Sequence, residues 1–265
     1  MENKLIYGAV IGDILGSLYE FSYSPNEKAP NYTDFKFDTQ KANYTDDTVM
    51  TFAVAVSLLT HKDVSSCMRD IAKLYPCPKG GYGGRFKQWL FREDMGPYHS
   101  CGNGAGMRVS PVAYFANSEE ECKQLAKMVT EVTHDHEEGL KGAEVVAMMI
   151  YYALHGKDKA FLKEYASSQY DVDFDLEDLH LHYFHEETCQ RSVPQALFAF
   201  LSSTSFEDCV RRVCYIGGDS DTTGAMACAI ASAYYKDIPQ KFLDLAKQKL
   251  PSHMVKIFDS VSLNI

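Results

Sequence analysis

Apolar residues recur at spacings of three and four along most of this chain, and that period admits helices and little else. It marks segments near residues 46–60, 105–116, 119–133, 137–155, 193–202, 206–216 and 221–235. No run of alternating strand character lasts beyond a few residues. Capping signals fix several starts: Asp63 or Ser65 before a helix over 66–74, Ser118 followed by Glu121, and Ser205 followed by Asp208. Pro111 kinks or delimits the run that contains it, and Pro239 and Pro251 open the last helices. The small residues of AMACAIASAYY (225–235) suit a central helix packed closely against its neighbours. No Pro-, Gly- or Ser-rich stretch divides the chain and no repeat is found, so the expectation is one all-α bundle over residues 1–265.

Charge and cysteine usage narrow the function. A net charge of -10 argues against gripping bare nucleic acid, which needs a basic face. It leaves room for a small anionic ligand, because local cations can reverse the field within one pocket. The opening MENKLIYGAVIGDILGSLYEF is apolar, but Asp13 interrupts it and no small-residue cleavage site follows. No stretch reaches the roughly 18 apolar residues of a membrane span. The eight cysteines form no CxxC pair, so the expectation is reduced, mostly buried thiols in a cytoplasmic protein.

Two acidic clusters carry the chemistry. Thr45-Asp46-Asp47-Thr48 immediately precedes the apolar run VMTFAVAVSLL, and Gly217-Gly218-Asp219-Ser220-Asp221-Thr222-Thr223 immediately precedes GAMACAIASAYY. Helix capping explains one carboxylate or hydroxyl per start. Four aspartates in two matching clusters exceed that need. If the two starts meet, their carboxylates repel unless a cation joins them, and such hard oxygen donors favour Mg²⁺, Mn²⁺ or Ca²⁺ over zinc. Glu20, placed at the end of the first helix, adds a fifth carboxylate. Glycines in GYGG (81–84), CGNG (101–104) and GG (217–218) mark loops between helices, where function tends to reside.

Other chemistries fit less well. His180, His182 and His185 with Glu186 and Glu187 match no tetrahedral zinc pattern, and a solvated loop is expected there. His134 and His136 follow an apolar helix and either answer its dipole or line a pocket. There is no GxSxG elbow and no phosphate loop of the Walker type. Cys101 sits in a glycine-rich loop with no base tied to it.

These residues resemble the ADP-ribosylglycohydrolase family, which includes the dinitrogenase reductase-activating glycohydrolase. The resemblance runs in order through GAVIGDILGSLYEF (8–21), YTDDTVM (44–50), GYGGRF (81–86) and SCGNGAGMRVSP (100–111). It continues through THDHEEGLKGA (133–143), SVPQALFAFL (192–201) and GGDSDTTGAMACAIASAYY (217–235). Ser220 departs from the threonine common there, between two ligand positions. The resemblance implies an all-α fold with a dinuclear Mg²⁺ or Mn²⁺ centre. Thr45, Asp46 and Asp47 would hold it from one side, and Asp219, Asp221 and Thr222 from the other. Glu20 matches a glutamate near the metals. Ser100, Gly102, Asn103 and Gly104 match the loop that receives diphosphate and ribose, and His134 a position beside the ligand.

The implied reaction is hydrolysis of the glycosidic bond between ADP-ribose and a protein side chain or small molecule, by a water activated at the metals. Asp46, Asp47 and Glu20 are the candidate bases. Diphosphate charge would be met by loop N–H groups and helix N-termini. Two other functions compete: an inactive ADP-ribose-binding or crystallin-like structural member, and a metal-dependent phosphoester hydrolase. The linkage cleaved and the role of 171–190 are not legible.

Overall fold

Among residues 4–261, which the computed structural model describes, every regular element is helical, and the backbone bridges are two isolated pairings, Thr45 with Lys79 and Gly102 with Thr188. The first eight helices are α1 (Tyr7–Gly16), α2 (Asp46–Thr60), α3 (Val64–Leu74), α4 (Gly84–Phe91), α5 (Gly104–Met107), α6 (Val112–Phe115), α7 (Glu119–Thr130) and α8 (Glu137–Leu154). Then come α9 (Lys159–Gln169), α10 (Leu176–His182), α11 (Cys189–Ser202), α12 (Phe206–Ile216), α13 (Ser220–Tyr235), α14 (Gln240–Lys249) and α15 (Ser252–Ser260).

The centre is a seam between α1 and α13. Gly8, Gly12 and Gly16 form a stripe at every fourth residue of α1, which is buried along its whole length. A β-carbon on Gly12 would stand 2.0 Å from the carbonyl oxygen of Gly224, and one on Gly16 would stand 2.0 Å from that of Ser220. The two helices therefore touch backbone to backbone at Gly12 and Gly16. Ser220 Oγ donates to the Gly16 carbonyl at 2.7 Å, which pins the end of α1 to the start of α13. The buried apolar side chains form one continuous cluster around this seam, so the layers stacked on it position the loops at one end.

Local signals predict most starts correctly. Asp63, rather than Ser65, caps α3 by accepting from Ser66 N–H at 2.8 Å. Ser118 and Ser205 accept from Glu121 and Asp208 N–H, each at 3.1 Å. Pro111 delimits rather than kinks: the run over 105–116 splits into α5 and α6, with Pro111 just before the second. α11 starts at Cys189, ahead of the expected 193, and carries Pro194 inside it.

The segment 171–190 departs from the expected solvated loop, because α10 occupies its middle. Seven residues make a marginal helix alone, and tertiary contacts hold this one. Buried Lys28 Nζ donates to the carbonyls of Leu179 (3.3 Å), His180 (2.6 Å) and Tyr183, closing the helix's last turn. The His180 ring stacks on Tyr215 with centroids 3.9 Å apart, while His182 stays exposed beside Asp178. All eight cysteines are free and six are buried. No helix among the described residues is long and apolar enough to cross a membrane.

Candidate active site

The start of α2 is organised from another helix. Thr45 is the N-cap, its Oγ1 accepting from Asp47 N–H at 3.2 Å. Beneath it lies Asp13 of α1, fully buried. Its carboxylate accepts from the N–H groups of Thr45 and Thr48 and from both their hydroxyls, Thr45 Oγ1 at 2.9 Å. Burial pushes Asp13 up to about 6, even though all four hydrogen bonds favour its charged form. With the helix end satisfied this way, the Asp46 and Asp47 carboxylates are free to face outward. In the sequence Asp13 registers only as a break in an apolar run, yet a lone charge in a helix buried all round is itself a signal.

The start of α13 is held differently. Gly217 and Gly218 adopt φ of +70° and +77°, a left-handed turn that aims the chain into the helix. Asp219 occupies the N-cap position without capping through its side chain. Instead its Oδ2 accepts from Asn103 Nδ2 at 2.5 Å, and Asn103 N–H donates to the Glu187 carbonyl at 2.8 Å. Thr222 Oγ1 donates to Asp47 Oδ2 at 3.3 Å, so the two acidic helix starts do meet.

They meet at a cavity of about 590 Å³. Glu20, Asp46, Asp47, Asp219, Asp221 and Thr222 line one end, and Ser100, Gly102, Asn103, Gly104 and His134 another part of the wall. Thr45 stands behind the wall: it is fully buried, with its hydroxyl bonded to Asp13 and Asp47. Glu20 needs a correction. α1 stops at Gly16, so Glu20 lies four residues past the helix, in the turn that follows. Its carboxylate reaches the cavity by packing over Gly80 (φ +75°), where a β-carbon would stand 2.6 Å from Oε1.

The carboxylates hold each other's protons. Burial, then the charges of Asp221 and Asp13, raise Glu20 to about 8. Burial raises Asp219 to about 7, against hydrogen bonds from Asp221 and Asn103. Asp46, Asp47 and Asp221 are pushed well above the usual carboxylate range, by burial first and by their acidic neighbours next. Asp47 Oδ1 and Asp221 Oδ1 are buried with no hydrogen-bond partner. Buried acceptors left bare are costly, and here a divalent cation is the fitting partner. Among the described residues no three His, Cys, Asp or Glu side chains are already arranged to hold a metal ion.

Several lining residues lie within the family-like motifs but are not among the candidate site residues. Arg85 and the buried Arg108 bring positive charge to the wall, which sequence reasoning had assigned to N–H groups alone. Phe21 sits at the cavity in a left-handed conformation (φ +62°), with its ring 4.9 Å from that of His185. His185 and Glu187 bring the unread 171–190 segment to the same rim.

Comparison with known proteins places the chain in a family. Residues 4–261 match the sequence model of a family described as ADP-ribosylglycohydrolase. Human ADP-ribosylhydrolase ARH3 is 26% identical over 306 aligned residues, covering 86% of this chain and 83% of its own. The ADP-ribosyl-[dinitrogen reductase] glycohydrolase of Rhodospirillum rubrum is 25% identical, covering 96% of this chain and 92% of its own. A solved structure titled "ADP-ribosylglycohydrolase-related protein complex" superposes with a TM-score of 0.71 at 24% identity, covering 97% of this chain and 95% of that one, and shares its fold.

Proposed function

The chain belongs to the ADP-ribosylglycohydrolase family of hydrolases, and from that premise we propose that it releases ADP-ribose from a modified protein side chain or small molecule in a reaction that depends on two divalent cations. Its relatives are named as ADP-ribosylhydrolases, one of them acting on ADP-ribosyl-dinitrogen reductase. Asp46 and Asp47 would hold Mg²⁺ or Mn²⁺ from one side, with Thr45 steadying Asp47 from behind, and Asp219, Asp221 and Thr222 from the other. Bound cations supply positive charge to ribose hydroxyls and to a water, making both more acidic. The observation that carries the reading is the pair of buried, partnerless oxygens, Asp47 Oδ1 and Asp221 Oδ1, at one cavity that Thr222 spans.

The protein's own groups divide the remaining work. Asn103 fixes one Asp219 oxygen. Glu20 lines the same cavity and can carry or accept a proton as the glycosidic bond breaks. Ser100, Gly102 and Gly104 shape the wall beside His134, and Arg85 answers the diphosphate's charge within an acidic chain. Eight free cysteines suit a reducing compartment such as the cytoplasm.

The test is hydrolysis of arginine-linked and serine-linked ADP-ribosyl peptides with Mg²⁺ and then with EDTA. Release of ADP-ribose that EDTA abolishes is the expected result, and the cleaved peptide identifies the linkage. Metal-dependent binding of ADP-ribose without turnover would move the protein to a binding role. Neither binding nor turnover would leave only the fold.

A further inference from the structure

Arg108 lies in the cavity wall as a buried cation without an ionic partner. It is fully buried, and its Nε and Nη1 donors find no acceptor among the described residues. A buried charge is costly unless something nearby uses it. Its remaining hydrogen bonds run in one direction. A guanidinium only donates, so Nη2 gives its proton to Thr133 Oγ1 at 2.6 Å. That hydroxyl then turns its own proton to Nδ1 of His134, 2.7 Å away, and Nη2 points at the same nitrogen from 3.4 Å. Nδ1 is therefore an acceptor, and the neutral ring carries its proton on Nε2. Burial, and next the charge of Arg108, hold this imidazole well below its usual range, which removes the imidazolium from consideration.

Nε2 faces the glycine-rich loop. A β-carbon on Gly102 would stand 3.3 Å from it and one on Gly104 would stand 3.2 Å away, so the two glycines leave the donor uncovered toward the cavity. We propose that Arg108 is a positioning residue: through Thr133 it holds His134 as an Nε2–H donor aimed past Gly102 and Gly104 toward an oxyanion of the bound ligand. His134 touches the ligand, whereas Arg108 and Thr133 act through it. The identity of the oxyanion as the diphosphate of ADP-ribose rests on the function proposed above; the donor geometry does not.

The tautomer is read directly by NMR of the full chain labelled with ¹⁵N-histidine. The expected spectrum for wild-type His134 has an unprotonated Nδ1 and a protonated Nε2. Thr133→Val keeps the volume and removes the hydroxyl, and Thr133→Ser restores it. Binding is then measured for ADP-ribose, inorganic pyrophosphate and adenosine, which carries no phosphate. Thr133→Val is expected to weaken ADP-ribose and pyrophosphate by roughly tenfold, with adenosine unchanged and Thr133→Ser within roughly twofold of wild type. An Nδ1–H tautomer in the wild type overturns the proposal, and this result stands even if Thr133→Val does not fold. Equal weakening of adenosine, or pyrophosphate affinity unaffected by Thr133→Val, also overturns it. Thr133-dependent pyrophosphate binding with no ADP-ribose binding would uphold the proposal and end the ADP-ribose reading.

Discussion

The two acidic helix starts look alike as sequence and are built in opposite ways. At α2 the carboxylates stand on a foundation inside the core, where Asp13 takes four hydrogen bonds from Thr45 and Thr48. At α13 they stand at the end of a left-handed diglycine turn, and a loop side chain, Asn103, steadies Asp219. One start is fixed by the hydrophobic core and the other by the ligand loop. Equal motifs thus depend on unequal supports, and substitutions should separate them: damage below α2 falls on stability, while damage beside α13 falls on activity.

The largest effect is expected where both starts converge. Asp221→Asn should reduce turnover to background while leaving the helical circular dichroism intact; wild-type rates in this variant would end the assignment of the acidic centre. The same change should raise the melting temperature of metal-free protein, because it removes one of several mutually repelling buried charges.

The pH dependence has a definite sign. Glu20, Asp219 and Asp13 have folded pKa values of about 8, 7 and 6 against ordinary values of 4.5, 3.8 and 3.8. The folded state therefore binds more protons than the unfolded chain in that interval. The stability they contribute is complete below about pH 4 and lost as pH rises through 6 to 8. Melting of metal-free protein should drop across that range, and saturating Mg²⁺ should flatten the drop. A metal-free profile that rises instead would break the electrostatic account.

Next in size is the contrast between the supports. Asp13→Ala strands four buried donors and should cost about 3 kcal/mol of unfolding free energy by denaturant titration. Asn103→Ala should leave that free energy nearly unchanged and lower turnover by roughly a hundredfold, since it only misplaces Asp219. Identical stability losses in the two would erase the difference between the helix starts. The smallest effect is expected for Gly217→Ala, about 2 kcal/mol. A side chain there is strained at φ +70°, ψ -146°, and its β-carbon would stand 2.5 Å from Lys28 Cγ.

The parts legible in the sequence are those set by neighbours along the chain. Ser118 with Glu121 and Ser205 with Asp208 fix helix starts within four residues, so the periods and caps give the all-helical class. The four aspartates are visible because they cluster. That the clusters meet is not visible, since the contact between Thr222 and Asp47 spans 175 residues. Asp13 is hidden in an apolar run, because its purpose appears only when Thr45 and Thr48 lie above it. Arg108 stands in the SCGNGAGMRVSP motif with nothing in its neighbours along the chain to show that the core closes around it. α10 is missed because Lys28, far upstream, supplies the contacts that hold it.

The α1–α13 seam has a consequence for how the protein is made. Gly16 and Ser220 are 204 residues apart, yet their helices meet backbone on backbone. At translation rates of roughly 5–20 residues per second, α1 leaves the ribosome about 10–40 s before α13 can meet it. Throughout that interval an apolar helix that ends up wholly buried lacks its main cover, although α2 can already meet it at Asp13. The nascent chain is thus most exposed to aggregation, and most in need of a holding chaperone, from its first folded turn until its last quarter is synthesised.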